Sequence, residues 1–295
     1  MDVSIIIVNY NTMQLTKNCI KSVFEQTKGL LFEVIVVDNA SCDGSLEMLI
    51  NNKYIQLIKS NVNLGFGRAN NLGIKNALGK YVFLLNSDTI LIDNSVKILF
   101  DFAESHLELK IGTVGTLLID KDGLINSPFS SLPSPFTFDG VLRRLRLTGN
   151  HSVQVLNKIE KNGFSKVGFV CGANMFIPAS TIEDVGLFDP DYFMYCEETD
   201  LQKRMADSGY NRFVINNKGI IHLSGGSFKE RKNSYERYEL LQKSLLLYYR
   251  KHYTGLAYLF SRINILFIIL RDLKNNYHTF NRKEIFSAIR LALLP

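Results

Sequence analysis

Over the first hundred residues, short apolar runs alternate with longer stretches whose apolar positions recur every three or four residues. The runs are Val3-Ser-Ile-Ile-Ile-Val-Asn9 and residues 33–37, 54–58 and 81–85. Compact apolar runs rich in β-branched residues describe strands covered on both faces, as in a parallel sheet. Thr12 stands at an N-cap position, ahead of a helix with Leu15, Ile20, Val23 and Phe24 on one face. Asp43-Gly-Ser opens a short helix through Leu46, Leu49 and Ile50, and a third helix follows Gly67 to about Leu78. The order β-α-β-α-β-α-β predicts an α/β fold, a Rossmann-like, mostly parallel central sheet flanked by helices.

Three of the strands end in polar groups: Asn9-Tyr-Asn11-Thr12, Asp38-Asn-Ala-Ser41 and Asn86-Ser-Asp88-Thr89. The carboxyl ends of strands form the rim where open α/β sheets bind ligands. These ends therefore point to a nucleotide site, with Asp88 placed to hold a metal.

Beyond residue 100 the pattern loosens. Pro128, Pro133 and Pro135 fall within eight residues, beside serines and phenylalanines, so residues 120–166 read as a long mobile connection. Such loops serve as substrate lids or are surface excursions. A strand over 169–177 follows, then a helix from about Glu197 to Ser208 with Gly209 as its C′ residue. From Tyr235 the chain reads as helical, mixing apolar with basic residues. Its segment 256–270, broken by Arg262 and Asn264, suits a helix lying in a membrane interface, or packed on the core, better than a spanning one.

The 295 residues, 46% hydrophobic, can bury a large core. The net charge of +6 is unevenly placed. Residues 229–295 hold 13 Lys and Arg against 5 Asp and Glu, a net of +8, which leaves 21 against 23 in residues 1–228, a net of −2. A basic tail fits an anionic membrane surface or solvated helices. The acid-rich body and the lack of a recognition motif argue against nucleic acid. No GxGxxG follows the first strand, which disfavours an oxidoreductase. Cys19, Cys42, Cys171 and Cys196 form no CxxC pair and sit in or beside apolar segments, predicting buried free thiols in a reducing compartment. With no basic n-region and no run of about twenty apolar residues, the expected location is cytoplasmic, peripheral on the inner face of the plasma membrane.

Seven elements, in order, resemble the inverting glycosyltransferases of family 2. They are Ile7-Val-Asn-Tyr-Asn-Thr12, Val37-Asp38-Asn-Ala-Ser41, Asn63-Leu-Gly-Phe-Gly-Arg-Ala-Asn-Asn71, Leu85-Asn-Ser-Asp88, Cys171-Gly-Ala-Asn174, Phe188-Asp-Pro-Asp-Tyr-Phe-Met-Tyr195-Cys-Glu-Glu-Thr-Asp-Leu201 and His222-Leu-Ser-Gly-Gly. The branch most similar is that of the bacterial rhamnosyltransferase-like enzymes of surface-polysaccharide synthesis. The resemblance implies a GT-A fold over residues 1–228, with a nucleotide-binding half (1–100), an acceptor and catalytic half (101–228) and a helical basic tail (229–295). It also implies transfer, with inversion, from dTDP-rhamnose or a UDP-hexose to a glycan or lipid-linked acceptor, assisted by Mn²⁺ or Mg²⁺.

Asn86-Ser-Asp88 stands at the family's DxD motif with only its last member acidic. The resemblance makes Asp88 the direct metal ligand, against a plain turn-capping role, and places Asn86 near the donor sugar or ribose. Asp38 resembles the residue that accepts a hydrogen bond from the imide N–H of uracil or thymine, a task suited to an acceptor-only carboxylate, and it can also close an Asx-turn. Asn9 and Asn11 lie beside it as nucleotide contacts. Gly65-Phe-Gly67 resembles a diphosphate-side loop, with Arg68 offsetting phosphate charge. The candidates for the catalytic base are Glu197, Glu198 and Asp200. The family pair is Glu-Asp with the second member the base, and Glu198 fills that slot here. The helix dipole would lower carboxylate pKa values in this first turn, and Arg204 at i+4 favours a structural Asp200. His222 matches a histidine that completes the metal site in some members. The alternatives are a sugar nucleotidyltransferase, which normally carries a Gly-rich basic loop where Asn9-Tyr-Asn-Thr-Met stands, and a nucleotide-sugar binder without catalysis.

Overall fold

The structure, a computed structural model, describes residues 1–126, 129–135, 151–223, 235–275 and 282–293. The first half runs β1 (Val3–Asn9), α1 (Met13–Gln26), β2 (Phe32–Asn39), α2 (Ser45–Ile50), β3 (Gln56–Ser60), α3 (Phe66–Ile74), β4 (Tyr81–Asn86), β5 (Thr89–Leu91), α4 (Ser95–Ser105), β6 (Ile111–Ile119) and β7 (Phe129–Ser130). There follow α5 (His151–Asn162), β8 (Phe164–Lys166), β9 (Phe169–Val170), β10 (Asn174–Pro178), α6 (Ala179–Val185), α7 (Glu197–Asp207) and β11 (Asn211–His222). The tail is α8 (Tyr235–His252), α9 (Gly255–Asn275) and α10 (Arg282–Leu293).

The central sheet has the order β3-β2-β1-β4-β10-β6-β11-β5, with β8 paired to β11. Side chains alternate across it with period two. On β1, Val3, Ile5 and Ile7 face one layer, closed by Cys19, Ile20 and Val23 of α1, Leu49 of α2 and Leu99 of α4. Ile6 faces the other, closed by Ile159 of α5, Ile182 of α6 and Leu201 and Met205 of α7. Burying a side chain of this size stabilises the fold by about 1.5–3 kcal/mol. All four cysteines are free, but of the expected buried thiols only Cys19 is fully buried: Cys171 and Cys196 are partly so, and Cys42, on the loop after β2, is exposed.

The strand and helix order through β4 is as predicted; β5 and α4, which follow it, were not foreseen, and the other differences are informative. β10 runs antiparallel between β4 and β6, because the chain re-enters the sheet from the carboxyl edge of β4: Asn174 pairs with Leu85 and Pro178 with Tyr81. The strand expected over 169–177 is therefore two short strands, interrupted at Cys171–Ala173 by that entry. β3 lies two residues later than 54–58, and α3 ends at Ile74, leaving Leu78 exposed. The connection 120–166 is not all loop: α5 buries Val155 and Ile159 on the sheet. Pro128 and residues 136–150 lie outside the described residues. Thr12 precedes α1 as expected, but its hydroxyl bonds Asn9 Oδ1 (2.9 Å) rather than the helix amides. The Met13 amide instead donates to Asp43 Oδ2 (2.9 Å).

Candidate active site

Parallel pairing brings the polar strand ends together: Asn9 aligns with Asp38, and Val8 with Asn86. Asn9 Nδ2 donates to Asp38 Oδ1 (2.8 Å) and Ser41 Oγ (2.9 Å). Its Oδ1 accepts from the hydroxyls of Thr12 (2.9 Å) and Thr16 (2.6 Å). Both donors and both lone pairs of a fully buried amide are thus used internally, so the side chain supports Asp38 and does not itself reach a nucleotide. Asp38 Oδ2 accepts the Ser41 amide (3.2 Å), which closes the Asx-turn and leaves each oxygen one further lone pair. Asn11, at φ +53°, binds the same loop: its N–H donates to Ser41 Oγ (3.0 Å) and its Oδ1 accepts from the Cys42 amide (2.8 Å).

The two glycines of the 63–71 motif serve a different contact from the expected one. A Cβ on Gly65, itself at φ +80°, would lie 1.9 Å from the Phe193 carbonyl oxygen, and one on Gly67 would lie 3.0 Å from Phe188 Cβ. The space a side chain would need at both positions is taken by the protein's own 188–197 segment. Arg68 lines a cleft of about 620 Å³ beside Lys75, Phe188 and Arg204, whose walls include neither Asp38 nor Asp88.

His222 reaches Asp88 through strand register. β11 pairs antiparallel with β5, His222 opposite Thr89, so its Nε2 lies 3.3 Å from Asp88 Oδ1. Both side chains are nearly buried, and the Leu223 amide donates to the Asp88 carbonyl (2.9 Å). One carboxylate oxygen and one imidazole nitrogen fit a divalent cation that takes its other ligands from a diphosphate and water. Imidazole favours Mn²⁺ over Mg²⁺. Among the described residues no cluster of three or more His, Cys, Asp or Glu could hold an ion alone.

The segment Cys171–Ala173 joins this edge to the acidic helix. The Asn86 amide donates to the Ala173 carbonyl (3.1 Å), and a Cβ on Gly172 would lie 3.5 Å from Glu198 Cγ. The Cys171 thiol is pushed up to about 11, first by burial and then by the fields of Glu198 and Asp88, so it feels both. Ahead of α7, Tyr195 (φ +68°) and Cys196 (φ +65°) are consecutive left-handed residues that are not glycine. Each such conformation costs on the order of 1–3 kcal/mol and persists where surrounding contacts enforce it. The turn drives Glu197 and Glu198 inward, where the Oε2 of each is enclosed without a partner among the described residues. Burial, followed by the neighbouring Glu198, pushes Glu197 well above the usual carboxylate range, and burial also raises Glu198. The amides at the start of α7 oppose the shift on Glu198 but do not outweigh it. The dipole effect expected from sequence is reversed, and the carboxyl is more basic for it.

Asp200 has a different place. Its Oδ2 accepts from Arg204 Nε (2.9 Å) and its Oδ1 from His252 Nε2 (2.8 Å), with the carboxylate almost wholly buried. Helix α8 also grips this region through Ser244 Oγ to the Met194 carbonyl (2.7 Å) and Lys251 Nζ to Asp189 and Asp191 (2.6 Å each). Asp200 thus ties α7 to the tail, with both of its oxygens engaged. His252, a histidine without ligand spacing in the sequence, is its unforeseen partner. Asp200→Ala is expected to cost about 3 kcal/mol by stranding the Arg204 charge, lowering Tm by roughly 6–10 °C. The kcat of the folded fraction should stay within a few-fold. Unchanged melting with activity gone would instead make Asp200 the base.

Residues 4–120 match the model of the family described as glycosyl transferase family 2. An uncharacterized glycosyltransferase of Rickettsia conorii is 28% identical over 230 residues, 75% of this chain and 36% of its own length. The N-acetylglucosaminyl-diphospho-decaprenol L-rhamnosyltransferase of Mycobacterium tuberculosis is 27% identical over 209 residues, 64% of this chain and 66% of its own. The chain therefore spans about a third to two thirds of these relatives. Among solved structures, Staphylococcus aureus TarS 1–349 in complex with UDP superposes with a TM-score of 0.57 at 14% identity, covering 100% of this chain and 81% of that one. The mannosyltransferase PcManGT of Pyrobaculum calidifontis, in complex with GDP-Man and Mn²⁺, gives 0.55 at 16% identity, covering 98% and 73%. The fold is that of the GT-A glycosyltransferases.

Proposed function

From this similarity to the family 2 glycosyltransferases, we propose that the protein transfers a sugar from a nucleoside-diphosphate sugar to a hydroxyl of a glycan or lipid-linked acceptor, with inversion. The observation that carries the reading is that the segment Cys171–Ala173 touches both groups: Asn86, two residues before Asp88, bonds Ala173, Gly172 lies against the enclosed Glu198, and the Cys171 thiol feels the charges of both acids. The donors that suit the motifs are dTDP-rhamnose and the UDP-hexoses, and the acceptor places the protein on the anionic inner face of the plasma membrane, in surface-polysaccharide synthesis.

In this mechanism Asp38 accepts the imide N–H of the pyrimidine. Asp88 and His222 would hold Mn²⁺ or Mg²⁺, which supplies positive charge against the diphosphate as it departs. Glu198 takes the proton of the acceptor hydroxyl while that oxygen bonds to C1 and the C1–O bond to the diphosphate breaks, its electron pair leaving with the diphosphate. Burial raises its pKa above the usual carboxylate range, which strengthens it as a base. Asn9, Gly65, Gly67 and Asp200 hold these groups in place. A nucleotidyltransferase fits poorly, because the loop after β1 is tied to Ser41 and Cys42 and presents no Gly-rich, basic phosphate cradle.

A panel of dTDP- and UDP-sugars, read by nucleotide release with and without a polyprenyl-diphosphate-linked acceptor, tests the reading. Release is expected to need Mn²⁺ or Mg²⁺ and to stop in excess chelator. Full turnover in chelator removes the metal from the proposal, and nucleotide triphosphate formation in place of transfer overturns it.

A further inference from the structure

Helix α9 is apolar on two sides. Ile265 and Ile269 are fully buried against Tyr248 and Tyr249 of α8 and Ala288 of α10. Facing away are Leu256 (72% exposed), Leu259, Phe260, Ile263, Phe267 (64% exposed) and Leu270. Steps of three and four residues keep these six on one face, a stripe about 20 Å long at 1.5 Å per residue. On α10, Phe286 is 70% exposed, with Lys283 three residues before and Arg290 four after, both exposed and on the same face. A continuous row of large apolar side chains is unlike the scattered single ones of an ordinary surface.

Charge complementarity selects the occupant of the stripe. The described tail, residues 235–275 and 282–293, holds 10 Lys and Arg against 4 Asp and Glu, a net of +6. A second copy would bring the same positive tail against this one. An anionic leaflet attracts it. No helix among the described residues is long and apolar enough to cross a membrane, so the stripe is suited to lying along one.

We propose that the outward faces of α9 and α10 dock on an anionic phospholipid membrane, the apolar stripe of α9 in the interface and Lys283 and Arg290 among the headgroups. This deepens the membrane location proposed above and is independent of which sugar is transferred. Because α9 follows directly on α8, which grips the turn carrying Glu197 and Glu198, docking holds that turn close to the surface where a lipid-linked acceptor presents its hydroxyl.

The full chain has no tryptophan, so Phe267→Trp provides a single emitter on the stripe. Its emission is expected to shift to the blue, and to be quenched by brominated lipid, with vesicles containing phosphatidylglycerol and not with phosphatidylcholine alone. Wild-type protein should sediment with the anionic vesicles at low salt and several-fold less at high salt. Phe260→Ser with Phe267→Ser, and separately Lys283→Glu with Arg290→Glu, should each reduce binding about tenfold or more. Their melting and their donor hydrolysis in free solution should stay at wild-type values, which keeps a failure of docking apart from a failure of the transferase reading. If the serine pair does not fold, the charge-reversal pair and the tryptophan emission decide. Wild-type protein that stays in the supernatant at low salt overturns the proposal. So does a dimer abolished by the same substitutions, which would give the face to a second copy.

Discussion

Glu198→Gln is expected to lower kcat by about a hundredfold to ten-thousandfold, the usual scale of general-base catalysis, with the donor KM nearly unchanged. The same substitution should stabilise the fold in a pH-dependent way. Burial raises the Glu198 pKa above that of the unfolded chain. Such a group contributes most stability below its unfolded pKa, near 4.5, and that contribution is lost as pH rises through the folded value. The glutamine has no charge to lose, so its melting temperature should match wild type at acid pH and exceed it at pH 8. Thermal denaturation and kcat measured across that range check both halves. Wild-type turnover by the glutamine variant sinks the assignment and moves the base to Glu197.

Asp88→Ala should be nearly as damaging, with kcat down by about a hundredfold to a thousandfold, the scale seen when one group that stabilises developing negative charge is removed. The loss should appear first in cation binding, because the imidazole of His222 alone is a poor partner for a hard divalent ion. Calorimetric titration of Mn²⁺ in the presence of UDP should show binding to wild type and little to the variant. His222→Ala should retain weakened binding through the carboxylate. Unchanged Mn²⁺ affinity in Asp88→Ala would return Asp88 to the role of a turn residue and leave Asn86 at the edge without a metal neighbour.

These expectations rest on features of unequal visibility in the sequence. Asp38 and Asp88 could be read directly, because a strand's apolar run and the polar residue that ends it are neighbours in the chain. The glycines at 65 and 67 were legible as positions of close approach, but not what approaches them: Phe188 and Phe193 lie more than a hundred residues away. Glu198 was singled out by resemblance, while a local rule, the helix dipole, pointed to a lowered pKa. The enclosure that outweighs it depends on the Tyr195–Cys196 turn and on Gly172 from the break between β9 and β10. Asp200 showed its Arg204 partner at i+4 and hid its partner His252, which arrives from the tail.

By itself, then, the sequence determined the parallel half of the sheet, the helices that cover it and the acids at its carboxyl edge, because periodicity and strand ends are local properties of the chain. Tertiary structure alone decided which acid is enclosed and which is tied, how His222 comes to stand beside Asp88, and that the tail helix braces the site. Those outcomes depend on strand direction and register, on burial, and on contacts between residues far apart in the chain, none of which leaves a local pattern.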